Sequence, residues 1–208
     1  MRILFKFVLY VLVITSNGIA RADSYVDFFR AVNTDNARTV TELLAKGFDP
    51  NTRSTSGQVA LYLALGENFS PKVADALLTS PALDVNAANA VGETPLMMAA
   101  MHGRLDWANK LLARGAAVQK PGWSPLHYAA TGPNIQVLTL LLDRGADINS
   151  RAPNGSTPLM MAARYGAEDN VKLLVKRGAD KELRNDRNLS ALDMARSAGR
   201  TYLVPLLQ

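Results

Sequence analysis

The sequence predicts an all-α solenoid of about six helix-turn-helix units joined by β-hairpin-like finger loops. Three observations predict it. A block, Thr94-Pro95-Leu96-Met97-Met98-Ala99-Ala100, recurs as Ser124-Pro125-Leu126-His127-Tyr128-Ala129-Ala130 and as Thr157-Pro158-Leu159-Met160-Met161-Ala162-Ala163. A second block follows each copy, starting 11 residues after the second Ala: Leu111-Leu112, Leu141-Leu142 and Leu174-Val175, each trailed by an Arg-Gly-Ala run. Weaker copies keep the register on both sides. Proline-equivalent positions fall at 27, 60, 95, 125, 158 and 191, at intervals of 33, 35, 30, 33 and 33 residues. A fixed period near 33 is the signature of stacked supersecondary units.

Each element follows from its residues. Thr94 or Ser124 suits an N-cap, and the Pro after it suits the first helical position, where no donor is needed. Leu96 faces the core, and Ala99 and Ala100 let an antiparallel second helix approach closely. Gly103 or Gly166 is expected to permit the tight turn between the helices. Leu111 and Leu112 bury against the neighbouring unit, and Gly115 ends the second helix in a left-handed cap. A hairpin this short cannot bury enough apolar surface alone, so neighbours must stack.

The repeat domain is expected over residues 23–208, in units of about 24–56, 57–91, 92–121, 122–154, 155–187 and 188–208. The first unit replaces Thr-Pro-Leu with Val26-Asp27-Phe28-Phe29-Arg30. The last carries Asp193, Arg196 and Arg200, which fit the polar outer faces of terminal repeats, and Pro205, which should kink or shorten its second helix. The third finger, Ala117 to Gly122, is three residues short and lacks the Asp and Asn of its neighbours. The second unit is two residues long, and the fifth finger, Asp180 to Arg184, has lost its apolar centre.

Residues 1–22 read as a secretory signal peptide. Arg2 and Lys6 precede an apolar run from Phe7 to Ile14, and Ala20-Arg21-Ala22 offers a cleavage site after Ala22. The run is far shorter than the roughly 20 residues that cross a bilayer, so no stable membrane insertion is expected after cleavage. The localisation implied is periplasmic or secreted. Without these residues the charge is nearly balanced, at 20 basic against 18 acidic side chains. Residues 151–208 lean basic, 10 against 6, too weakly for the footprint of a nucleic-acid binder.

Chemistry is hard to find. There is no cysteine, which excludes disulfides and thiolate sites, and two histidines make a protein-only metal site a poor expectation. His127 sits inside the repeat block, where it should tie neighbouring turns by hydrogen bonds. His102 has no Ser or Asp partner nearby in a catalytic arrangement. The methionine pairs Met97-Met98 and Met160-Met161 read as core and groove packing rather than metal ligands. Trp107 falls among the leucines of a second helix and should be core. No cofactor and no metal are expected.

The run Thr-Pro-Leu-His-x-Ala-Ala, Gly, then Leu-Leu-x-x-Gly-Ala-Asp-x-Asn is nearly complete at Ser124–Asn149. On it, and on the copies in register, the chain resembles an ankyrin-repeat protein, in particular exported bacterial ones. The resemblance implies a non-catalytic module that grips a partner protein with its concave face and finger tips. A periplasmic enzyme or a secreted toxin would suit as partner, giving an accessory or an immunity role. The variable positions that would line the concave face are Gln58, Val91, Glu93, Met101, His102, Trp123, Thr131, Asn154, Ser156, Arg164 and Tyr165, with Arg53, Arg151 and Arg187 at or near tips. Trp123 is either an interface residue or a plug over the truncated third finger. The alternatives from other classes are a hydrolase using His102 or His127 and a self-associating scaffold.

Overall fold

The computed structural model describes residues 22–208. Apart from Ala22, the expected signal segment lies outside the described residues. The chain forms two compact units, divided between Asp84 and Val85, inside the second repeat.

In the first unit, α1 (residues 22–33), α2 (Ala37–Ala45), α3 (Ala60–Ala64) and α4 (Pro71–Leu78) make two helical hairpins. Residues 22–26 are already helical, so the first helix begins before the position equivalent to the repeat proline. Asp27 and Phe28 take the place of the Pro-Leu pair; Phe28 and the following Phe29 are both buried, and the Phe28 ring packs 4.5 Å from that of Phe48. Asp35, at φ +51°, turns the chain between α1 and α2, and its carboxylate accepts the Val73 N–H at 2.9 Å. The buried Ser70 hydroxyl donates to the Val32 carbonyl at 2.7 Å. Two polar side chains thus fasten α4 to the preceding hairpin.

The second unit holds α5 (Pro95–Met101), α6 (Leu105–Ala113), α7 (Pro125–Thr131), α8 (Ile135–Asp143), α9 (Pro158–Tyr165), α10 (Glu168–Lys176) and α11 (Ala191–Ser197), then a 3-10 turn (Thr201–Leu203) and α12 (Val204–Leu207). First helices stack side by side, α5 on α7, α7 on α9, α9 on α11, and each packs on its own second helix. The alanine pairs make this possible: Ala99, Ala129, Ala130, Ala162 and Ala163 are fully buried, leaving backbones close enough to touch. First helices begin at 60, 95, 125, 158 and 191, as the repeat intervals require. Pro205 lies in the first turn of α12, and the last second helix is reduced to four residues.

Two glycine roles separate here. Gly115 has φ +85°; its N–H bonds the Leu112 carbonyl and the Ala116 N–H bonds that of Leu111, so the end of α6 is closed by a left-handed cap. The pairs Gly145-Ala146 and Gly178-Ala179 repeat the arrangement. Gly103 is also left-handed, at φ +65°, as a tight turn needs. Gly166 is not, at φ −81°. It is required for space: a Cβ there would lie 2.2 Å from the Ala130 carbonyl oxygen and 2.9 Å from the Ala162 Cα.

The fingers carry no strand among the described residues, only one antiparallel bridge, Arg53 with Val59. Three fingers of the array close instead by one backbone bond four residues apart, such as Asn89 N–H to the Glu93 carbonyl at 2.8 Å and Ala152 N–H to that of Ser156 at 2.9 Å. Asparagine side chains then join each finger to the next. Asn86 donates to the Gly115 carbonyl at 3.1 Å and accepts the Ala117 N–H at 2.8 Å; Asn149 accepts the Asp180 N–H at 2.9 Å. In the truncated third finger Gln119 substitutes, donating to the Gly145 carbonyl at 3.3 Å. The longer amide side chain reaches across where the short loop cannot.

Gly115→Ala meets open space and suffers only the left-handed backbone, about 1–2 kcal/mol. Gly166→Ala forces a methyl into two backbone segments. Thermal melts followed by circular dichroism should show a modest fall for the first and a larger one for the second.

Candidate functional site

Along one face of α5, α7 and α9, residues three or four apart point the same way: Tyr128 with Thr131, and Met161 with Tyr165. With Met101, Trp123 and His127 they line an open groove of about 470 Å³. Its walls are aromatic rings and thioethers, and its exposed members are large: Met101 is 45% and Tyr165 60% accessible. Exposed aromatic and methionine surface at a concavity is the kind that adapts to a protein partner.

The groove floor is held rigidly. Trp123 stands edge-on to the His127 ring at 5.3 Å and to Tyr128 at 6.5 Å, so it is ordered as a groove wall. The Tyr128 hydroxyl donates to Glu93 at 2.7 Å, and the other Glu93 oxygen accepts from Asn89 at 2.8 Å. The Thr131 hydroxyl donates to the Tyr128 carbonyl at 2.9 Å.

His127 is buried and structural. Its Nδ1 accepts the Ser124 N–H at 3.2 Å, which leaves Nε2 as the protonated nitrogen donating to the Ser156 carbonyl at 3.0 Å. Burial pushes its pKa below the ordinary 6.5, against smaller opposing effects from its hydrogen bonds and Asp147. The repeats on either side use methionine instead: the Met97 and Met160 sulfurs accept the N–H of Thr94 and Thr157, each at 3.4 Å. Those two are fully buried core residues, whereas Met161 lines the groove.

Of the positions expected to touch a partner, Met101, Trp123, Thr131 and Tyr165 come together in the groove. Arg164 adjoins them, its guanidinium 5.2 Å from the Tyr165 ring centre. Glu93 supports the wall from behind Tyr128. His102 is half-buried at the end of α5. Val91, 78% exposed, and the exposed Asn154 lie at finger tips, and Asn154 accepts the Ser156 N–H. Gln58 belongs to the first unit. Ser156 is a correction: only 1% accessible, it cannot meet a partner, and its carbonyl serves His127 instead. At the tips, Arg53 bonds the Gly57 carbonyl of its own finger, Arg151 the Arg184 carbonyl of the next, and Arg187 is exposed.

Arg200 is a second correction. Expected on a polar outer face, it turns inward and caps α9, donating to the Ala162 and Ala163 carbonyls at 2.8 and 3.0 Å. The buried Asn170 does the same for α7 through the Ala130 and Gly132 carbonyls, both at 3.0 Å. Trp107 is core, as expected, with Lys110 over its ring at 4.1 Å. Among the described residues, no group of His, Cys, Asp and Glu could hold a metal ion, and no helix is long and apolar enough to cross a membrane.

Stacked helical hairpins of this period, closed by left-handed glycines and joined finger to finger by amides, define a helical repeat protein. The chain belongs to the ankyrin-repeat family: the family model described as ankyrin repeats (3 copies) matches residues 28–121 and 110–185. Ankyrin repeats are protein-interaction modules, typically without catalysis. The chain is 36% identical over 174 residues to the mouse (Mus musculus) B-cell lymphoma 3 protein homolog, covering 80% of this chain and 39% of that protein. It is 42% identical over 93 residues to human (Homo sapiens) neurogenic locus notch homolog protein 4, covering 43% of this chain and 5% of that one. The chain thus spans well under half the length of these curated relatives. Among solved structures, it is similar to a chain of the complex of the Bd0816 predatory endopeptidase from Bdellovibrio bacteriovorus with immunity protein Bd3460. The TM-score is 0.74 at 26% identity, covering 87% of this chain and 96% of that one.

Because folded His127 resists protonation while the unfolded imidazole does not, the unfolded state binds more protons below about pH 6.5, and stability falls as pH drops through that range. The melting temperature should be lower at pH 5.5 than at 7.5. His127→Met, the neighbours' solution, should remove most of that difference.

Proposed function

We propose that this chain is a non-catalytic binding module that acts in the periplasm and holds a partner protein in the groove of its second unit. The observation that carries the reading is the groove itself: apolar, open, built on close-packed helices, and walled by Trp123, Tyr128, Met101, Met161 and Tyr165. Aromatic side chains dominate interface energetics because they bury much area while losing little conformational freedom. The signal-like residues 1–22 support the compartment. The similarity to a chain from an endopeptidase–immunity protein complex supports restraint of a toxic enzyme as the role, ahead of support for a periplasmic enzyme.

Trp123→Ala combined with Tyr165→Ala tests the site. Hot-spot residues are each worth about 2 kcal/mol or more, roughly a thirtyfold loss apiece. Partner capture from the host's periplasmic fraction should vanish while helical circular dichroism is unchanged; undiminished capture rejects the groove. Intact-mass measurement of the exported product should give an N-terminus at Asp23, and a full-length chain retained in the cytoplasm rejects export.

A further inference from the structure

We infer that the groove takes an acidic segment of the partner, with an apolar side chain seated among Met101, Trp123 and Tyr165 and a neighbouring carboxylate held by Arg164. The inference rests on the groove being the partner site and adds what that partner must present.

Charge is arranged unequally around the groove. Glu93 is an acid at the groove wall, and both its oxygens are engaged, one by the Tyr128 hydroxyl and one by the Asn89 amide; Asp147 acts on the buried face of the groove through His127. Those two neutral donors fix the Glu93 carboxylate behind Tyr128, away from Arg164's end of the groove lining, but leave its charge in place. Arg164 differs. It is half-buried at the last turn of α9, beside exposed Tyr165, and its guanidinium lies over that ring. Its remaining contacts are long: 3.5 Å to the Ser197 hydroxyl and 4.0 Å to the Met194 sulfur. Among the described residues it makes no ion pair.

Other arginines of the last repeats are employed differently. Arg184 pairs with Asp193, Arg177 with Asp143, and Arg200 caps α9. Arg164 is therefore a cation fixed by stacking, partly withdrawn from water, with donors unused at the edge of an apolar concavity. A planar guanidinium so placed suits a carboxylate, and stacking has already removed part of the ordering cost. Residues 151–208, which carry it, hold 10 basic against 6 acidic side chains, so the surrounding charge favours an acidic visitor.

A random-peptide phage library panned on the purified chain tests this. Enriched sequences should pair an aromatic or long aliphatic residue with a nearby Asp or Glu. A synthetic peptide of that sequence should bind Arg164→Glu roughly tenfold more weakly, and replacing its acid with Lys should restore binding to that variant. Arg164→Gln keeps the side-chain stem and serves if the charge reversal perturbs folding. Peptides that need Trp123 yet lack acids, carry Lys or Arg instead, or bind Arg164→Glu undiminished overturn the inference and leave the groove standing. No enrichment over the Trp123→Ala variant overturns both.

Discussion

A helical hairpin of this length leaves backbone groups open that only its neighbour can satisfy, and the second unit is organised around closing them. Asn86 and Asn149 each reach from one finger to the next, Gln119 does so where the finger is short, and Asn170 and Arg200 cap the first helices from the following repeat. Each such bond is worth only about 1 kcal/mol net, but leaving a buried carbonyl open costs more. No buried side-chain nitrogen or oxygen lacks a partner among the described residues. Repeat spacing is set by these reaches together with the alanine contacts, and a groove of fixed width is the consequence.

The groove inherits its rigidity from that spacing and its chemistry from positions the stacking leaves unconstrained. His127 shows the join. One nitrogen closes the turn of its own repeat and the other ties the next, while its ring supports Trp123 from behind. The same position holds methionine in the flanking repeats, where sulfur accepts the N–H but no donor reaches across. The repeat with the imidazole at this position directly follows the truncated finger and supplies the tryptophan that walls the groove.

Much of this was legible in the sequence. The intervals located the first helices, since Pro95, Pro125 and Pro158 can stand only where no donor is needed, and Gly115 announced its left-handed cap. Four groove residues, Met101, Trp123, Thr131 and Tyr165, followed from the variable positions of the repeat. Tyr128 is a wall residue the sequence reading does not name, though it lies one turn before Thr131, which the structure places in the groove; helical spacing alone joins the two. Ser156, Arg200 and Gly166 were misread for one shared reason. Each answers to a group more than twenty residues away, His127, the end of α9 and the Ala130 carbonyl, and no local pattern encodes that distance.

Recognition through the groove face is the central claim, and site-specific photo-crosslinking in the native host addresses it most directly. A photoreactive residue at position 165, on the groove, and another at Lys172, exposed on α10, sample the two sides of one repeat. The account requires a discrete adduct from position 165 and none from 172. An adduct from 172 with none from 165 would place recognition on the opposite side and contradict it.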